Sequence, residues 1–336
     1  MWLLLRLQAD PTPILNYCAE RQIPTQLVQI GERRAIQLIG QDSLTPEAFY
    51  RWEEVERVIS DQLPSPLVSQ WKGDSISIGD WKRGEGILWI AGPCSVEERD
   101  SLLHLAGELK GLGVHMLRGG VFKARTSPYS FQGRGEVALD WLAEAKALTG
   151  LPTCVEILSE VHIPLYLSKG VDVFQIGARN MDNFWLLKEV GSLQKPVLLK
   201  RNPQATVEDW LFAAEYLLLA GAPLVLLCER GIRTFERSLR YTLDVGGLAV
   251  LAERTGLPRV ADPSHAAGHW KFVEPLGLAA LAAGAEGLLV EVHPDPLNAR
   301  SDAAQQLTIS QFATFMEKAN FVFAPSLSSH FQPHGA

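Results

Sequence analysis

The sequence predicts an α/β protein: a TIM (β/α)8 barrel preceded by a small ferredoxin-like α+β domain. Three observations carry this expectation. From residue 87 onward, short and nearly continuous apolar runs alternate with amphipathic segments. Strands covered by helices on both faces require that continuous character, so the sheet is parallel, and eight such units over roughly 230 residues match a barrel. No GxGxxG turn follows the first run, which removes the main signature of a doubly wound open sheet. Before residue 66 the order is instead strand, helix, two strands, helix, strand, the split βαβ pattern.

Taken in order, the first unit (1–66) opens with an apolar run at 2–7. A helix follows, started by Thr12-Pro13 and carrying Ile14, Leu15 and Cys18. Two β-rich runs, 25–30 and 35–39, flank Gly31-Glu32-Arg33 as turn material. A second helix is expected over 46–56, with Thr45 as N-cap, Pro46 at the first helical position and Glu47 facing the positive end of the dipole. Ala48 leaves it without a capping box, and residues 55–60 close the unit as a strand. A Pro-rich polar stretch at 61–66 leads into a linker and barrel-capping hairpin at 67–86, a catalytic barrel at 87–325 and a tail at 326–336. The barrel strands are expected at 87–91, 114–117, 153–157, 173–176, 196–199, 224–227, 259–261 and 288–290. Helices are expected at 98–111, 137–149, 182–190, 207–220, 239–253, 273–283 and 309–318.

Composition narrows the function. With 336 residues, 47% of them hydrophobic, the chain can bury a large core, which excludes a disordered segment. A net charge of -7 disfavours nonspecific binding to nucleic acid, so an anionic ligand must be held by a local basic pocket. The four cysteines, Cys18, Cys94, Cys154 and Cys228, fit neither a disulfide framework nor a CxxC zinc site and point to a reducing compartment. The short apolar start is no secretory signal, and no later run has the length of a membrane span. A soluble, cytoplasmic protein is expected, with neither a nucleic-acid nor a membrane partner.

In such a barrel the catalytic groups sit where strands end. There the sequence places Cys94, Arg118, Lys123, Arg125, Arg179, Lys200, Arg201, Arg230, His265 and Glu291, with Asp302 in the last loop. Cys94, His265, Glu291 and Asp302 group as metal ligands. A thiolate, an imidazole and two carboxylates suit Mn, Fe, Co or Zn better than Mg or Ca. His269 and His293 are competing imidazoles. A second constellation is basic: Arg118, Lys123, Arg125, Arg179, Lys200 and Arg230 converge in an acidic protein, as phosphate oxygens require. Arg134 and Arg201 are expected to be solvated surface residues. Two clusters of this size suggest a pair of phosphorylated substrates.

These residues stand in recognisable motifs. AGPCSVE (91–97), LRGGVFKARTSPYSFQG (117–133), IGARNMDNF (176–184), KPVLLKR (195–201), LCERGIRTFE (227–236), DPSH (262–265) and EVHPDP (291–296) span the whole barrel. In content and order the sequence closely resembles the 3-deoxy-D-arabino-heptulosonate 7-phosphate (DAHP) synthases of the type Iβ branch, first enzymes of the shikimate pathway. The resemblance implies one divalent metal on Cys94, His265, Glu291 and Asp302. It assigns phosphoenolpyruvate to Arg118, Lys123, Arg179, Lys200 and Arg230, and the phosphate of erythrose 4-phosphate to Arg125 with Thr126 and Ser127. Catalytic roles fall to Lys123, Cys94, His265 and Asp302, with Lys123 as a proton donor whose pKa is expected to be lowered by its cationic neighbours. Ala124 stands where this family usually has Pro, and Pro203 follows KRN where it more often has Gly, departures that touch loop geometry rather than ligands. The related octulosonate synthases usually carry an Asn before the arginine of the lysine motif, and Lys123-Ala124-Arg125 lacks it. The N-terminal unit looks like the regulatory domain some members carry, which implies feedback by tyrosine or phenylalanine. A homotetramer is expected by the same analogy.

Overall fold

The structure, a computed structural model, describes residues 1–30, 33–39, 46–59, 64–73 and 75–323. The expected turn at Gly31-Glu32, the Thr45 cap and the tail at 326–336 lie outside these residues. The chain begins with β1 (Trp2–Leu5), α1 (Thr12–Glu20), β2 (Thr25–Ile30), β3 (Arg33–Leu38) and β4 (Val55–Ile59), an antiparallel sheet in the order β2-β3-β1-β4. Alternation along β1 sorts its side chains. Leu3 and Leu5 pack with Ile14 and Cys18 of α1, while Leu4 on the other face joins Ala35, Ile59 and the apolar cluster of the barrel.

The helix expected over 46–56 is a single 3-10 turn, Pro46–Ala48. Bonds three residues apart continue through Phe49, Trp52 and Val55. Glu53 and Glu54 are drawn against β1, since Arg6 takes both of their carbonyls at 2.9 Å, and few residues remain to span the sheet. A 3-10 path rises more per residue than an α-helix and stacks positions three apart. That stacking sets Phe49 and Trp52 against Tyr17, with ring centroids 6.0 and 5.3 Å away.

Next come α2 (Pro66–Ser69) and a hairpin of β5 (Ser77–Ile78) and β6 (Trp81–Lys82). Ile76, Ile78 and Trp81 pack inside the barrel on Leu88, Met116 and Val173, at or near the starts of their strands, closing the N-terminal opening. The barrel proper runs β7 (Leu88–Gly92), α3 (Arg99–Gly111), β8 (Met116–Arg118), α4 (Glu136–Thr149), β9 (Thr153–Ile157), α5 (Ile163–Ser168), β10 (Val173–Ile176), α6 (Phe184–Ser192), β11 (Val197–Lys200), α7 (Val207–Ala220) and β12 (Val225–Glu229). It continues through α8 (Val245–Arg254), β13 (Arg259–Ala261), α9 (Pro263–Ala267), α10 (Val273–Ala282), β14 (Gly287–Glu291) and α11 (Ile309–Phe323). β7 through β14 pair in parallel, each with the next, and β14 returns to β7, so the sheet is closed. Trp89 of β7 meets Phe312 and Phe315 of α11 edge-on at 5.6 and 5.5 Å, which seals the seam between first strand and last helix.

Three helices of the barrel also depart from expectation. The short α5 and α9 were not anticipated, and α8 starts at Val245 rather than at 239. Asp244 caps α8 by accepting the Gly247 N–H at 2.8 Å. The residues before it bond across the chain: Thr242 exchanges backbone bonds with Ile232, and Tyr241 donates to Ala266 O at 2.9 Å. These bonds hold 239–243 as a loop on the C-terminal rim.

Candidate active site

The donors expected for a metal come from one end of the barrel. Gly92, at the end of β7, has φ +153°, and a side chain there would lie 2.0 Å from Arg118 O. Its absence lets β7 close on β8 just before Cys94, which is fully buried and donates its backbone N–H to Gln306 Oε1 at 3.1 Å. Glu291 ends β14, and Asp302 follows in the next loop with φ +44°. Donor atoms of Cys94, Glu291 and Asp302 lie within 4.8 Å of one another. His265 sits on α9, whose N-cap Asp262 accepts the His265 backbone N–H at 2.9 Å and meets Nδ1 at 2.7 Å. This leaves Nε2 turned to the cluster, 3.7 Å from Glu291 and 3.9 Å from Asp302. The competing imidazoles stand aside: His293 Nδ1 accepts the Asp295 N–H, and His269 Nδ1 accepts that of Lys271.

The electrostatics of this group suit a soft divalent cation. Burial, reinforced by Glu291, pushes the Cys94 thiol up to about 12, so a strong local positive charge is needed to make it a thiolate. Burial pulls the pKa of His265 below its ordinary value, against the opposing pull of the Asp262 and Glu291 carboxylates. Burial acts against ionisation of Asp302, but His265, Arg240 and Lys123 outweigh it and hold the carboxyl at about 2. Protein cations stand beside these donors. Arg118 donates to Glu291 at 2.9 Å, Lys123 to Cys94 Sγ at 3.2 Å, and Arg125 and Arg240 lie 3.7 and 3.6 Å from Asp302. Thiol, imidazole and two carboxylates are a donor set whose chemistry fits a transition metal or zinc.

Beside the donors opens a cavity of about 710 Å³, lined by Arg118, Lys123, Arg125, Thr126, Ser127, Arg179, Lys200 and Arg230, together with His265 and Asp302. All the residues expected to bind substrate thus share one cavity. Arg118 Nε and Arg230 Nη1 are buried without a hydrogen-bond partner among the described residues, as suits nitrogens that meet an anionic ligand. Lys200 is buried against Asp262 at 2.6 Å, so one carboxylate serves both His265 and Lys200.

Two expectations are corrected. Arg201 is not solvated: it is 4% exposed and pairs with Glu229 at 3.0 Å and Asp244 at 2.7 Å. Consecutive residues at a strand end point to opposite sides, so Lys200 enters the barrel while Arg201 faces the cap of α8. The pKa of Lys123 is raised, not lowered. Burial alone would lower it, but Cys94, Glu156 and Glu291 outweigh burial and Arg118, so the amine keeps its proton. Arg134 is exposed as expected and pairs with Glu98.

Sequence reasoning missed several cavity residues. Glu156, in the apolar run TCVEI, lines the cavity, and its carboxylate makes no hydrogen bond or ion pair among the described residues. An acid inside a continuous strand run was the available signal. Arg233, Arg240 and Tyr241 also line the cavity, and the last two were hidden inside a helical pattern. Gln305 donates to Glu291 Oε2 at 2.6 Å and accepts from Arg240 at 2.9 Å, bracing the donor set.

The profile of the DAHP synthetase I family matches residues 64–323, which include every strand and helix of this barrel. The chain belongs to the DAHP synthetase I family. Within this family it is 44% identical to a phospho-2-dehydro-3-deoxyheptonate aldolase of Thermotoga maritima, over 85% of this chain and 86% of that protein. It is 33% identical to a 2-dehydro-3-deoxyphosphooctonate aldolase of Methylococcus capsulatus, over 69% of this chain and 87% of that one. The crystal structure of the DAHP synthase of Thermotoga maritima superposes with a TM-score of 0.76 at 38% identity, covering 97% of this chain and 98% of the other. A truncated form of that enzyme matches with a TM-score of 0.70 at 41% identity, over 75% of this chain and 93% of its own. Among the described residues no helix is long and apolar enough to cross a membrane.

Proposed function

We propose that this member of the DAHP synthetase I family condenses phosphoenolpyruvate with erythrose 4-phosphate and water to give DAHP and inorganic phosphate. The observation that carries this reading is the juxtaposition of a Cys/His/Glu/Asp donor set with a cavity whose basic residues outnumber what its own acids neutralise. In the reaction, C3 of phosphoenolpyruvate bonds to the aldehyde carbon of erythrose 4-phosphate. Water adds at C2, and the C–O bond to phosphate breaks. Arg118, Lys123, Arg179, Lys200 and Arg230 hold the enol phosphate ester, while Arg125, Thr126 and Ser127 receive the phosphate of the aldose. A divalent ion on Cys94, His265, Glu291 and Asp302 would supply Lewis-acid polarisation of the aldehyde oxygen. Lys123, which keeps its proton, stands 3.2 Å from Cys94 Sγ and can deliver that proton to the oxygen that becomes a hydroxyl. Glu156, whose carboxylate lines the cavity with no hydrogen bond or ion pair among the described residues, takes the proton of the attacking water in this reading.

The N-terminal unit, residues 1–66, is read as a regulatory domain responsive to tyrosine or phenylalanine, in a cytoplasmic homotetramer. Its antiparallel sheet, seated on the barrel through Leu4, Ala35 and Ile59, supports that reading. Phosphate release tests the main proposal. Release that needs erythrose 4-phosphate, stops with EDTA and returns with Mn is expected; release with arabinose 5-phosphate instead would move the assignment to the octulosonate reaction.

A further inference from the structure

We infer that Tyr241 is a positioning residue for Arg230 and thereby sets how tightly the enol phosphate ester is held. The inference rests on the proposed function and names a residue that the site motifs do not include. Arg230 leaves the end of β12 buried, with 6% exposure, and its Nη1 has no hydrogen-bond partner among the described residues. Arg118, Lys200 and Arg125 each face a carboxylate, at 2.9, 2.6 and 3.7 Å. Arg230 has none within ion-pair reach among the described residues, because the neighbouring Glu229 is taken by Arg201 and by the Gly231 N–H. What holds Arg230 is the ring of Tyr241, whose centroid lies 4.3 Å from the guanidinium carbon.

An aromatic face suits this task. It orients the planar cation through its quadrupole and shields it from water, yet leaves the positive charge un-neutralised and the N–H groups free for phosphate oxygens. A carboxylate in its place would compete with the substrate. The backbone that carries the ring is held on two sides. Tyr241 N–H donates to Ala266 O at 2.9 Å, tying it to the helix that carries His265. Thr242 and Ile232 close the loop behind it with bonds of 2.8 and 3.1 Å. Gly231, at φ +95°, lacks the Cβ that would come within 2.5 Å of Tyr241 Cβ, so the ring can approach Arg230. Burial raises the pKa of the phenol, but Arg230, through its charge and a hydrogen-bonding approach to the phenol oxygen, outweighs it together with Arg240 and Arg233 and pulls it below its ordinary value, a second tie between Tyr241 and Arg230 beside the ring face.

The test uses the full metal-loaded chain and measures phosphoenolpyruvate binding by calorimetry without acceptor, then KM for each substrate. Tyr241→Leu is expected to weaken phosphoenolpyruvate about ten-fold, with the change falling on its KM rather than on that of erythrose 4-phosphate. Tyr241→Phe, which keeps the face, should recover most of the affinity. Combining Tyr241→Leu with Arg230→Met should bind no more weakly than Arg230→Met alone, which a merely structural loss would not produce. Should Tyr241→Leu fail to fold, Tyr241→Met removes the aromatic face with a side chain of adequate volume. Unchanged binding in these variants, a Phe variant as weak as Leu, or fully additive effects would each overturn the inference. A wild-type chain that binds phosphoenolpyruvate but releases no phosphate with erythrose 4-phosphate would sink the reaction assigned above, while the binding series still decides the role of Tyr241.

Discussion

Asp262 joins the two halves of the site, since its carboxylate lies 2.7 Å from His265 Nδ1 and 2.6 Å from Lys200 Nζ. Burial opposes its ionisation, but His265 and Lys200 more than compensate and hold it well below the usual carboxylate range. An amide of the same shape keeps the packing and loses the charge, so Asp262→Asn should weaken metal binding by about 10- to 100-fold. Metal content after dialysis against graded chelator would show this, and an unchanged chelation midpoint would reject the role. Lys123→Met should leave metal content intact and abolish turnover, whereas near-normal turnover would remove Lys123 from the chemistry. Of these residues, the candidate donors could be picked out in the sequence because Cys94, His265 and Glu291 stand at or just after strand ends, with Asp302 in the last loop. Asp262 and Gln305 were not legible as supports, because they act through other side chains brought near only by the closed barrel.

At the level of elements, continuous apolar runs made the eight strands readable, since burial on both faces leaves few other sequences for a parallel barrel. The losses came where local pattern and tertiary bonding disagree. Residues 46–54 have helical composition but must span the sheet, and 239–243 continue a helical pattern until Asp244 caps α8 and the rim takes them. The join between domains depends on a similar contact: Glu215 of α7 accepts the backbone N–H groups of Leu67 and Val68 at 2.9 and 2.8 Å, at the start of α2. Burial raises its pKa despite these bonds and the nearby Arg57. A carboxyl with a raised folded-state pKa favours the folded protein most below its unfolded pKa, and that contribution is lost as pH rises through the folded value. Replacing Glu215 by Gln removes the titration. Relative to wild type, the Gln variant should therefore gain stability as pH rises through the carboxyl range and then stay level. Urea midpoints for the two proteins at a series of pH values would test it; parallel curves would mean that this carboxyl does not titrate on unfolding.

Across the whole molecule, the two ends of the barrel are stabilised by different means. The N-terminal opening is filled by Ile76, Ile78 and Trp81, and Arg83 locks the hairpin to Glu286 at 2.6 Å. The C-terminal opening instead holds a polar cavity whose acids and cations are held close together, an arrangement that serves binding rather than packing. The donor set also bridges closure, because Cys94 follows the first barrel strand while Glu291 and Asp302 lie on and after the last. A divalent ion there would tie the two strands whose pairing closes the sheet. Binding only to the folded state, at a hundred times its dissociation constant, it would add about 2.7 kcal/mol. For a barrel of this size that corresponds to a rise in Tm of roughly 5–10 °C. Calorimetric scans of the metal-loaded protein, of the protein after EDTA, and of Cys94→Ser under both conditions measure the effect. The rise should appear in the wild type and shrink in Cys94→Ser, whose alcohol is a poor ligand for the ions a buried thiolate selects. Equal melting of loaded and stripped wild type, with bound metal verified by elemental analysis, would place the ion somewhere other than across this seam.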